Sequence, residues 1–491
     1  GDHNVKALVG FSHESYTGKW ISASRSDYVF PQYPVLNAGS IEDMKNEGSG
    51  DEWVLRSFYG RLNYDYKSKY LFEANIRYDG SSRFASGNKW GVFPSFSAGW
   101  RISEEAFWEP FKNVVDNVKL RASWGQLGNQ LIGNYSFASF VTYGTNIMGG
   151  QAMSSAYLSD MANPDISWEK TTMTNIGLDM SLFSKLSMTF DYYVRRTSDI
   201  LLKLDIPKFT GLNAPYQNAG VVDNKGWDLS FSWRDNISDF QYGATFVLSD
   251  VRNEVVDLKG VKRTGLTVSN EGYPINSLYG LEAIGFIQES DYDENGKYLY
   301  ATQYGNFGPG DIKYKDQNKD GVIDDKDEKI IGSTIPRFNF SLNLNASWKG
   351  FDLSMFWQGV GKADGYLYGN ATMPFIMGGT ALEMHKDYWT SENPNATFPR
   401  LAFNEINNEK NSTFWMKSAA YLRLKNLQVG YTIPKSLLSK IFIKNLRVYV
   451  SGQNLFTIDN FWDGYDVEAP VGIGSFYPQV KLYSVGLDVK F

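Results

Sequence analysis

The sequence lacks cysteine altogether, and its 491 residues include only three histidines and sixteen prolines. The absence of cysteine excludes a disulfide framework, a thiolate metal site and a cysteine nucleophile. No run of about 18 apolar residues occurs, which excludes a membrane-spanning helix but leaves membrane-spanning strands open. A net charge of −6 argues against nucleic-acid binding, which usually requires a basic patch. Aromatic residues are abundant, at 16%, and such a composition excludes a disordered chain.

The segment 338–348 shows a pattern that recurs along the chain. Apolar side chains occupy every even position from Phe338 to Trp348, and asparagine or serine occupies every odd position between them. Because a β-strand has a side-chain period of two, one face of this segment is apolar and the other polar. Lys349 and Gly350 predict a tight turn, after which the alternation resumes at Phe351. The same alternation is found in segments 176–182, 186–195, 227–234 and 483–491.

This alternation predicts an all-β fold of about 14 antiparallel strands. The approximate strand ranges are 3–13, 53–67, 69–80, 90–102, 116–125, 168–182, 185–199, 221–234, 239–250, 335–348, 351–362, 419–433, 444–454 and 479–491. Runs of about 10–14 residues are longer than the usual strand of about 5–6. Many apolar faces end in Trp, Tyr or Phe, as in the aromatic girdle of a membrane barrel. We therefore predict a transmembrane antiparallel β-barrel, with a water-soluble all-β protein as the alternative.

The connections between these strands alternate between short and long. The short ones fall near 67–69, 183–185, 235–238 and 349–350, with a helical-looking connection at 104–116 and a slightly longer turn at 434–445. The long ones span about 14–52, 81–89, 126–167, 200–220, 251–334, 363–418 and 455–478. Outer-membrane barrels have short periplasmic turns and long external loops, so the long connections are expected outside. Segment 279–288 also looks like a strand, but a crossing there would invert every later strand, so we place it within the external loop 251–334.

Several blocks of the sequence resemble the SusC-like (SusC/RagA) TonB-dependent outer-membrane transporters. These blocks are YLFEANIRYDGSSRF (70–84), NPDISWEKTTMTNIGLDMSLF (163–183), GDIKYKDQNKDGVIDDKDEKIIG (310–332), YLRLKNLQVGYTIP (421–434) and VYVSGQNLFTIDNFWDGYDVE (448–468). The resemblance implies a 22-stranded barrel with a plug in its lumen. Residues 1–491 would then form its C-terminal barrel portion, without the plug domain and about eight further strands. We expect another chain or fragment to supply that missing portion.

The resemblance also implies a function, namely import of large nutrients such as oligosaccharides or peptides across the outer membrane of a Gram-negative bacterium. TonB would supply the energy through the plug, and a SusD-like surface lipoprotein would act as a lid. No bond is broken in such a process, so the protein is not expected to be an enzyme. A passive 14-stranded porin is the alternative function. An outer-membrane enzyme or surface scaffold is a third hypothesis, but no catalytic motif accompanies His3, His13 or His385.

One segment has the spacing of an EF-hand calcium loop. Its oxygen ligands would come from Asp316, Asn318, Asp320, the Val322 carbonyl, Asp324 through a water, and Asp327. Gly321 occupies the sixth position, where the loop bends sharply. Position twelve is an aspartate rather than the longer glutamate, which makes Mg²⁺ an alternative to Ca²⁺. The competing interpretation is a solvated acidic turn, and a bound cation would order the long loop.

Aromatic residues near the external loops are the candidate substrate contacts. Trp389, Trp462 and Tyr465 could stack on sugars or grip peptides, while packing within the loops or against a lid is the competing interpretation. Phe491 ends the last alternating strand and resembles a C-terminal signal for barrel assembly. Burial of the Phe491 ring in lipid is compatible with the same position.

Overall fold

The protein is described by a computed structural model that covers residues 1–403, 405–438 and 442–491. Within these ranges, no helix has the length and the apolar character needed to cross a membrane.

Strands make up most of the described chain. The first eleven are β1 (His3–Ser24), β2 (Lys45–Tyr66), β3 (Tyr70–Ser81), β4 (Trp90–Arg101), β5 (Val115–Asn129), β6 (Val141–Met148), β7 (Gln151–Leu158), β8 (Glu169–Leu182), β9 (Leu186–Lys203), β10 (Tyr216–Ile237) and β11 (Phe240–Asp257). The following strands are β12 (Lys262–Thr264), β13 (Thr267–Ser269), β14 (Ser277–Gly280), β15 (Ala283–Phe286), β16 (Ile312–Tyr314), β17 (Lys329–Ser333), β18 (Arg337–Trp348), β19 (Phe351–Lys362) and β20 (Asp364–Leu367). The last are β21 (Met416–Ser418), β22 (Tyr421–Thr432), β23 (Asn445–Gln453), β24 (Thr457–Asp459), β25 (Val471–Gly472) and β26 (Leu482–Lys490).

Helical segments are short. The described residues contain one short α-helix, α1 (Lys435–Leu438). The 3₁₀ turns are Leu36–Ala38, Ile102–Glu104, Ala106–Phe111, Lys208–Thr210, Glu289–Asp291, Asp325–Asp327, Gly369–Ala371, Ile376–Gly378, Glu383–Lys386 and Thr413–Trp415.

The main sheet has the hydrogen-bonded order β1-β2-β3-β4-β5-β8-β9-β10-β11-β18-β19-β22-β23-β26, and β24 pairs with β22 beside this path. The path contains the fourteen predicted strands in the predicted order, so the all-β prediction is confirmed. Segment 279–288 is not part of this sheet: β14 belongs to a four-stranded sheet and β15 to a two-stranded one. The segment therefore lies within the connection between β11 and β18, and the external position of that connection stays a prediction.

Several predicted boundaries are wrong. Strands β1 and β2 each run for 22 residues and pair along their whole length, so the connection predicted at 14–52 shrinks to 25–44. The alternation is weak in the serine- and glycine-rich segments of this hairpin, and cross-strand hydrogen bonds hold these segments in the strand conformation. A further hairpin, β6–β7, lies inside the connection predicted as a loop at 126–167. The connection predicted at 251–334 runs instead from 258 to 336, because β11 extends further than predicted, to Asp257, and β18 begins slightly later, at Arg337. Part of the predicted turn 434–445, residues 439–441, lies outside the described residues.

The strand register separates an apolar face from a polar face. One row across five adjacent strands consists of Ala346, Leu353, Val429, Val450 and Val485. The neighbouring row, one residue along each strand, consists of Asn345, Ser354, Gln428, Ser451 and Ser484. Successive side chains of a strand point to opposite faces, so the two rows lie on opposite sides of the sheet. The valines of the apolar row are exposed, with Val450 54% accessible and Val485 77%.

The chain divides into two compact units. The first comprises residues 1–101, 121–175 and 195–222, and the second comprises 102–120, 176–194 and 223–491. The first unit has a small aromatic core of Phe84, Phe93, Ile132, Ile166 and Trp168. The second unit contains a larger core, which its long connections supply.

Candidate functional site

The long connections of the second unit fold into a core of their own, which we call the loop core. Its buried members come from three connections and the adjoining strand ends: Leu278, Leu281, Ile312, Tyr314, Ile323, Val360, Tyr366, Leu367, Ala371, Met373, Phe398, Trp415, Ala419, Tyr421, Phe461, Trp462 and Val467. Strand β20 joins two of these connections by backbone hydrogen bonds, since it pairs antiparallel with β21 and parallel with β25. Connections of this length would otherwise be costly to order, and burial of their apolar side chains offsets that cost.

Buried tyrosines link the loop core by hydrogen bonds as well as by packing. The hydroxyl of Tyr314 donates to the carbonyl of Asn407 at 2.7 Å, and the backbone N–H of Ser412 donates to the hydroxyl of Tyr366 at 3.0 Å. Burial raises the pKa of both phenols, so they stay neutral across the physiological range. The two tyrosines therefore form hydrogen bonds that hold together connections distant in sequence.

A buried ion pair joins two of the long connections. Arg400 donates from Nε and Nη2 to the two carboxylate oxygens of Asp311, both at 2.8 Å, and Asp311 is fully buried. Asn408 donates a further hydrogen bond of 2.8 Å to Asp311, and Arg400 also reaches Glu405. Burial raises the pKa of Glu405, and the nearby Asp311 charge adds to the shift. A bidentate pair of this kind fixes geometry, and loss of Arg400 would leave the buried Asp311 carboxylate without its charge partner.

Glu282 is a second electrostatic junction of this region. Its Oε2 accepts from Lys329 Nζ at 2.7 Å and from Gln317 Nε2 at 2.8 Å, and Lys315 Nζ lies 3.2 Å away. The hydrogen bond from Lys329 is the largest of the interactions that lower the Glu282 pKa to about 2. Glu282 thus connects β17 to the start of the acidic loop 316–327.

The predicted cation loop adopts a tightly turned backbone. Asp316 accepts from the backbone N–H of Lys319 and of Gly321, at 2.5 and 2.9 Å, and Gly321 has φ of +89°. A positive φ is the conformation for which glycine is suited, as the sequence pattern predicts at position six. Asn318 Nδ2 and the Val322 N–H both donate to Asp320, at 3.0 Å each. The backbone therefore turns where an EF-hand loop turns.

The carboxylates of this loop contact protein donors. Asp327 is fully buried and accepts from the backbone N–H of Gln317 at 2.8 Å and of Asp324 at 2.9 Å. Lys326 Nζ lies 3.3 Å from Asp324 and 3.8 Å from Asp320. Among the described residues, no group of three or more His, Cys, Asp or Glu side chains is positioned to hold a metal ion. The role of these residues as ligands stays a prediction, and binding would require Lys326 to move aside.

The three aromatic residues predicted as substrate contacts are packed inside the loops. Trp389 and Trp462 are both more than nine-tenths buried, and the Tyr465 hydroxyl donates to the Ala371 carbonyl at 2.8 Å. Lys417 Nζ lies 4.2 Å from the centroid of the Trp462 ring. These positions favour the packing interpretation, and direct substrate contact stays a prediction. Phe491 lies just after β26, and its side chain is 77% exposed.

His385 is the one histidine that the loop region buries. Its Nδ1 accepts from the backbone N–H of Leu382 and its Nε2 contacts the Thr372 carbonyl, both at 2.8 Å. This pattern defines the neutral tautomer with the proton on Nε2. Desolvation lowers the His385 pKa, in agreement with a neutral ring. Both ring nitrogens are committed to the backbone, so His385 has a structural role.

Comparison with known proteins agrees with this fold. A family model described as "TonB dependent receptor-like, beta-barrel" matches residues 1–455. TonB-dependent receptor P3 of Formosa agariphila is 31% identical over 523 aligned residues, which cover 100% of this chain and 51% of that protein. TonB-dependent receptor SusC of Bacteroides thetaiotaomicron is 29% identical, with 89% of this chain and 44% of SusC covered. The chain thus spans about half the length of the curated relatives it matches.

A solved structure matches the whole chain as well. The structure of the RagAB peptide importer in the "open-open" state superposes with a TM-score of 0.85 at 27% identity, covering 100% of this chain and 53% of the other. The chain therefore belongs to the TonB-dependent receptor β-barrel family. Within that family it is SusC-like, and its place is the outer membrane of a Gram-negative bacterium.

Proposed function

We propose that this chain forms part of an active importer that takes up large nutrients across the outer membrane. The observation that carries the proposal is the superposition of the whole chain on a peptide importer, together with the family match over residues 1–455. In this proposal the apolar strand face contacts lipid, the polar face lines the passage, and the loop core presents an ordered external surface. The chain moves its ligand without chemical change, so it is not an enzyme.

The partners of this importer are part of the same proposal. TonB would transmit energy through a plug, and a SusD-like lipoprotein would cover the external loops. The plug and the remaining barrel strands would come from polypeptide outside these 491 residues, as the coverage of about half of each relative suggests. Intact-mass analysis of the natively purified complex would identify that polypeptide, the lid and any ligand that copurifies.

Uptake measurements distinguish active import from the passive porin. Cells expressing the native transporter should accumulate peptide or oligosaccharide substrates only when TonB is present. Purified protein in planar bilayers should show no large, steady conductance. Uptake that persists without TonB, accompanied by steady conductance, would favour the porin and contradict active import.

We also propose that the loop 316–327 binds a divalent cation, Ca²⁺ or Mg²⁺. The supporting features are the ligand spacing, the glycine turn at Gly321 and the hydrogen bonds that orient Asp316 and Asp320. Each carboxylate oxygen retains a lone pair after accepting one backbone hydrogen bond. Bound cation would replace the Lys326 ammonium as the neutralising charge beside Asp320 and Asp324.

The Lys326 contact provides a sharp test of the cation proposal. Lys326→Gln should tighten Ca²⁺ binding about threefold or more, because a competing ammonium is removed. The double variant Asp316→Ala with Asp320→Ala should lose binding and loosen the loop without preventing membrane insertion. Titration calorimetry with Ca²⁺ and Mg²⁺ measures both effects. Metal analysis that finds neither ion in the native protein, with no binding in the titration, would refute the site.

Phe491 is proposed as an assembly signal in the same protein. Phe491→Ala should lower the amount of transporter at the cell surface, while Tyr483→Ala on the same strand serves as the aromatic control. Surface labelling measures both variants. Equal abundance of Phe491→Ala and wild type would contradict the signal role.

A further inference from the structure

A cavity in the second unit lies where residues of β11, β18 and β19 approach β17. We call it the sheet-end pocket, and its volume is about 520 Å³. Its lining comes from the end of β11, from β17, from the start of β18 and from the segment that joins β19 to β20. Cavities of about 300–1,000 Å³ are typical of small-ligand sites. The size therefore suits a short segment of a larger ligand.

Two cations of the pocket stand directly opposite each other on neighbouring strands. Arg337 on β18 pairs in register with Lys362 on β19, so both side chains belong to the same face of the sheet. Like charges in such a position are unfavourable unless an anion compensates them. Asp250 compensates one of them, because Arg337 donates to both of its carboxylate oxygens, with Nε at 2.8 Å. Among the residues that the structure describes, no carboxylate forms an ion pair with Lys362.

A third cation, Arg252, lines the same pocket from β11. Arg252 and Lys362 are both exposed, and within the described ranges neither side chain forms a hydrogen bond or an ion pair. Arg252 does interact electrostatically with Asp250, which is already held by Arg337. Arg337, by contrast, is held by Asp250 and needs no further anion. The pocket therefore offers two cationic side chains, Arg252 and Lys362, to an incoming anion. The charge of Arg337 lies beside them.

The rest of the lining indicates what kind of anion would enter. Glu254 and Asp364 add negative charge, and Asp364 accepts from the Ser333 N–H at 2.9 Å. Val251, Ile330 and Ile335 supply apolar surface. Among the described residues that line the pocket, none is aromatic, so the flat ring faces on which sugars commonly stack are missing. Charges of both signs, mixed with aliphatic side chains, match a peptide better than a glycan.

We propose that the sheet-end pocket binds the carboxylate end of a short peptide through Arg252 and Lys362. Glu254 and Asp364 would face the amide or ammonium groups of the same peptide. The proposal rests on the import function proposed above, for which it names the substrate class. It requires no covalent step, only the exchange of water for charge-assisted hydrogen bonds.

Titration calorimetry on the native complex in detergent tests the pocket. The two probes are tetra-alanine with a free carboxylate and tetra-alanine amide, which differ only in that charge. Wild-type protein should bind the acid about tenfold more tightly than the amide, as expected for one charge-assisted hydrogen bond. The double variant Arg252→Gln with Lys362→Gln should lose this preference. Lys386→Gln, on an exposed lysine paired with Glu383, should retain it.

Three results would overturn the proposal. The first is equal affinity of the wild type for the acid and the amide, or no binding of either. The second is a preference that persists in the double variant. The third is tetragalacturonate binding that depends on Arg252 and Lys362 while tetra-alanine does not bind, because the pocket would then serve an acidic glycan. Uptake that does not need TonB would contradict the import function without changing these affinities.

Discussion

In the second unit, apolar side chains are exposed on one face of the main sheet but buried in the loop core. On the strands, valines such as Val450 and Val485 are exposed, whereas in the loop core Trp415 and Tyr366 are fully buried. The medium explains the difference. Hydrocarbon surrounds the strands of an outer-membrane protein, so exposed apolar side chains there carry no penalty. Connections that leave the bilayer enter water, where the same kinds of side chain must be buried.

Substitution of a buried aromatic residue in the loop core should cause the greatest loss of stability. Trp415→Ala should destabilise the loop region by about 3–5 kcal/mol, because it removes a fully buried ring. It also removes the indole hydrogen bond to the Asn408 carbonyl. Hydrogen exchange of β20 and β21 should rise while the main sheet stays protected. Trp348→Ala, which removes the same ring from the exposed strand face, is the control and should leave loop exchange unchanged.

The next largest loss of stability is expected from a charge placed on the apolar face of the main sheet. Val450→Arg should destabilise the membrane-inserted protein by about 2–4 kcal/mol if the position lies near the bilayer midplane. Ser451→Arg, one residue along the strand, is the matched control, since it projects to the polar face. Heat-modified mobility of the two variants on gels measures assembly. Equal assembly of both would mean that the faces are assigned incorrectly.

The smallest effect concerns charge in the loop region. Glu282→Gln should destabilise this region by about 1 kcal/mol at neutral pH, because the carboxylate interacts with the partly exposed Lys329 and Lys315. The Glu282 pKa is lowered from 4.5 to about 2, so its contribution is present above pH 4.5 and is lost as the pH falls towards 2.

Hydrogen exchange of β17 against pH measures the Glu282 contribution. The wild type should lose protection across that interval, and the variant should show a flatter profile. Glu383→Gln, in an exposed pair with Lys386, is the control and should change nothing. A wild-type profile that is flat between pH 4.5 and 2 would contradict the assignment.

Much of the main sheet could be predicted because its signal is local. The alternation from Phe338 to Trp348 and the turn at Lys349 and Gly350 gave β18 and β19 nearly to the residue. The hairpin β6–β7 was missed, although Gly149 and Gly150 mark its turn. The outer halves of β1 and β2 were missed because their pairing stabilises residues of weak strand preference.

The loop region could be predicted only in part. The glycine turn of the acidic loop follows from its spacing, and Gly321 has the expected positive φ. The ion pair of Asp311 with Arg400 joins residues 89 positions apart, and no periodic pattern connects them. The burial of Trp389 and Trp462 likewise depends on contacts between separate connections.

Side-chain alternation and family motifs lie in neighbouring residues, so the strands of the main sheet, their two faces and the family follow from the sequence alone. The folded protein is needed to show which aromatic residues are buried in the loops and which cations line the sheet-end pocket. Strand pairing depends on local pattern and register. Loop packing depends instead on which distant segments come into contact, and that choice is made by the fold as a whole.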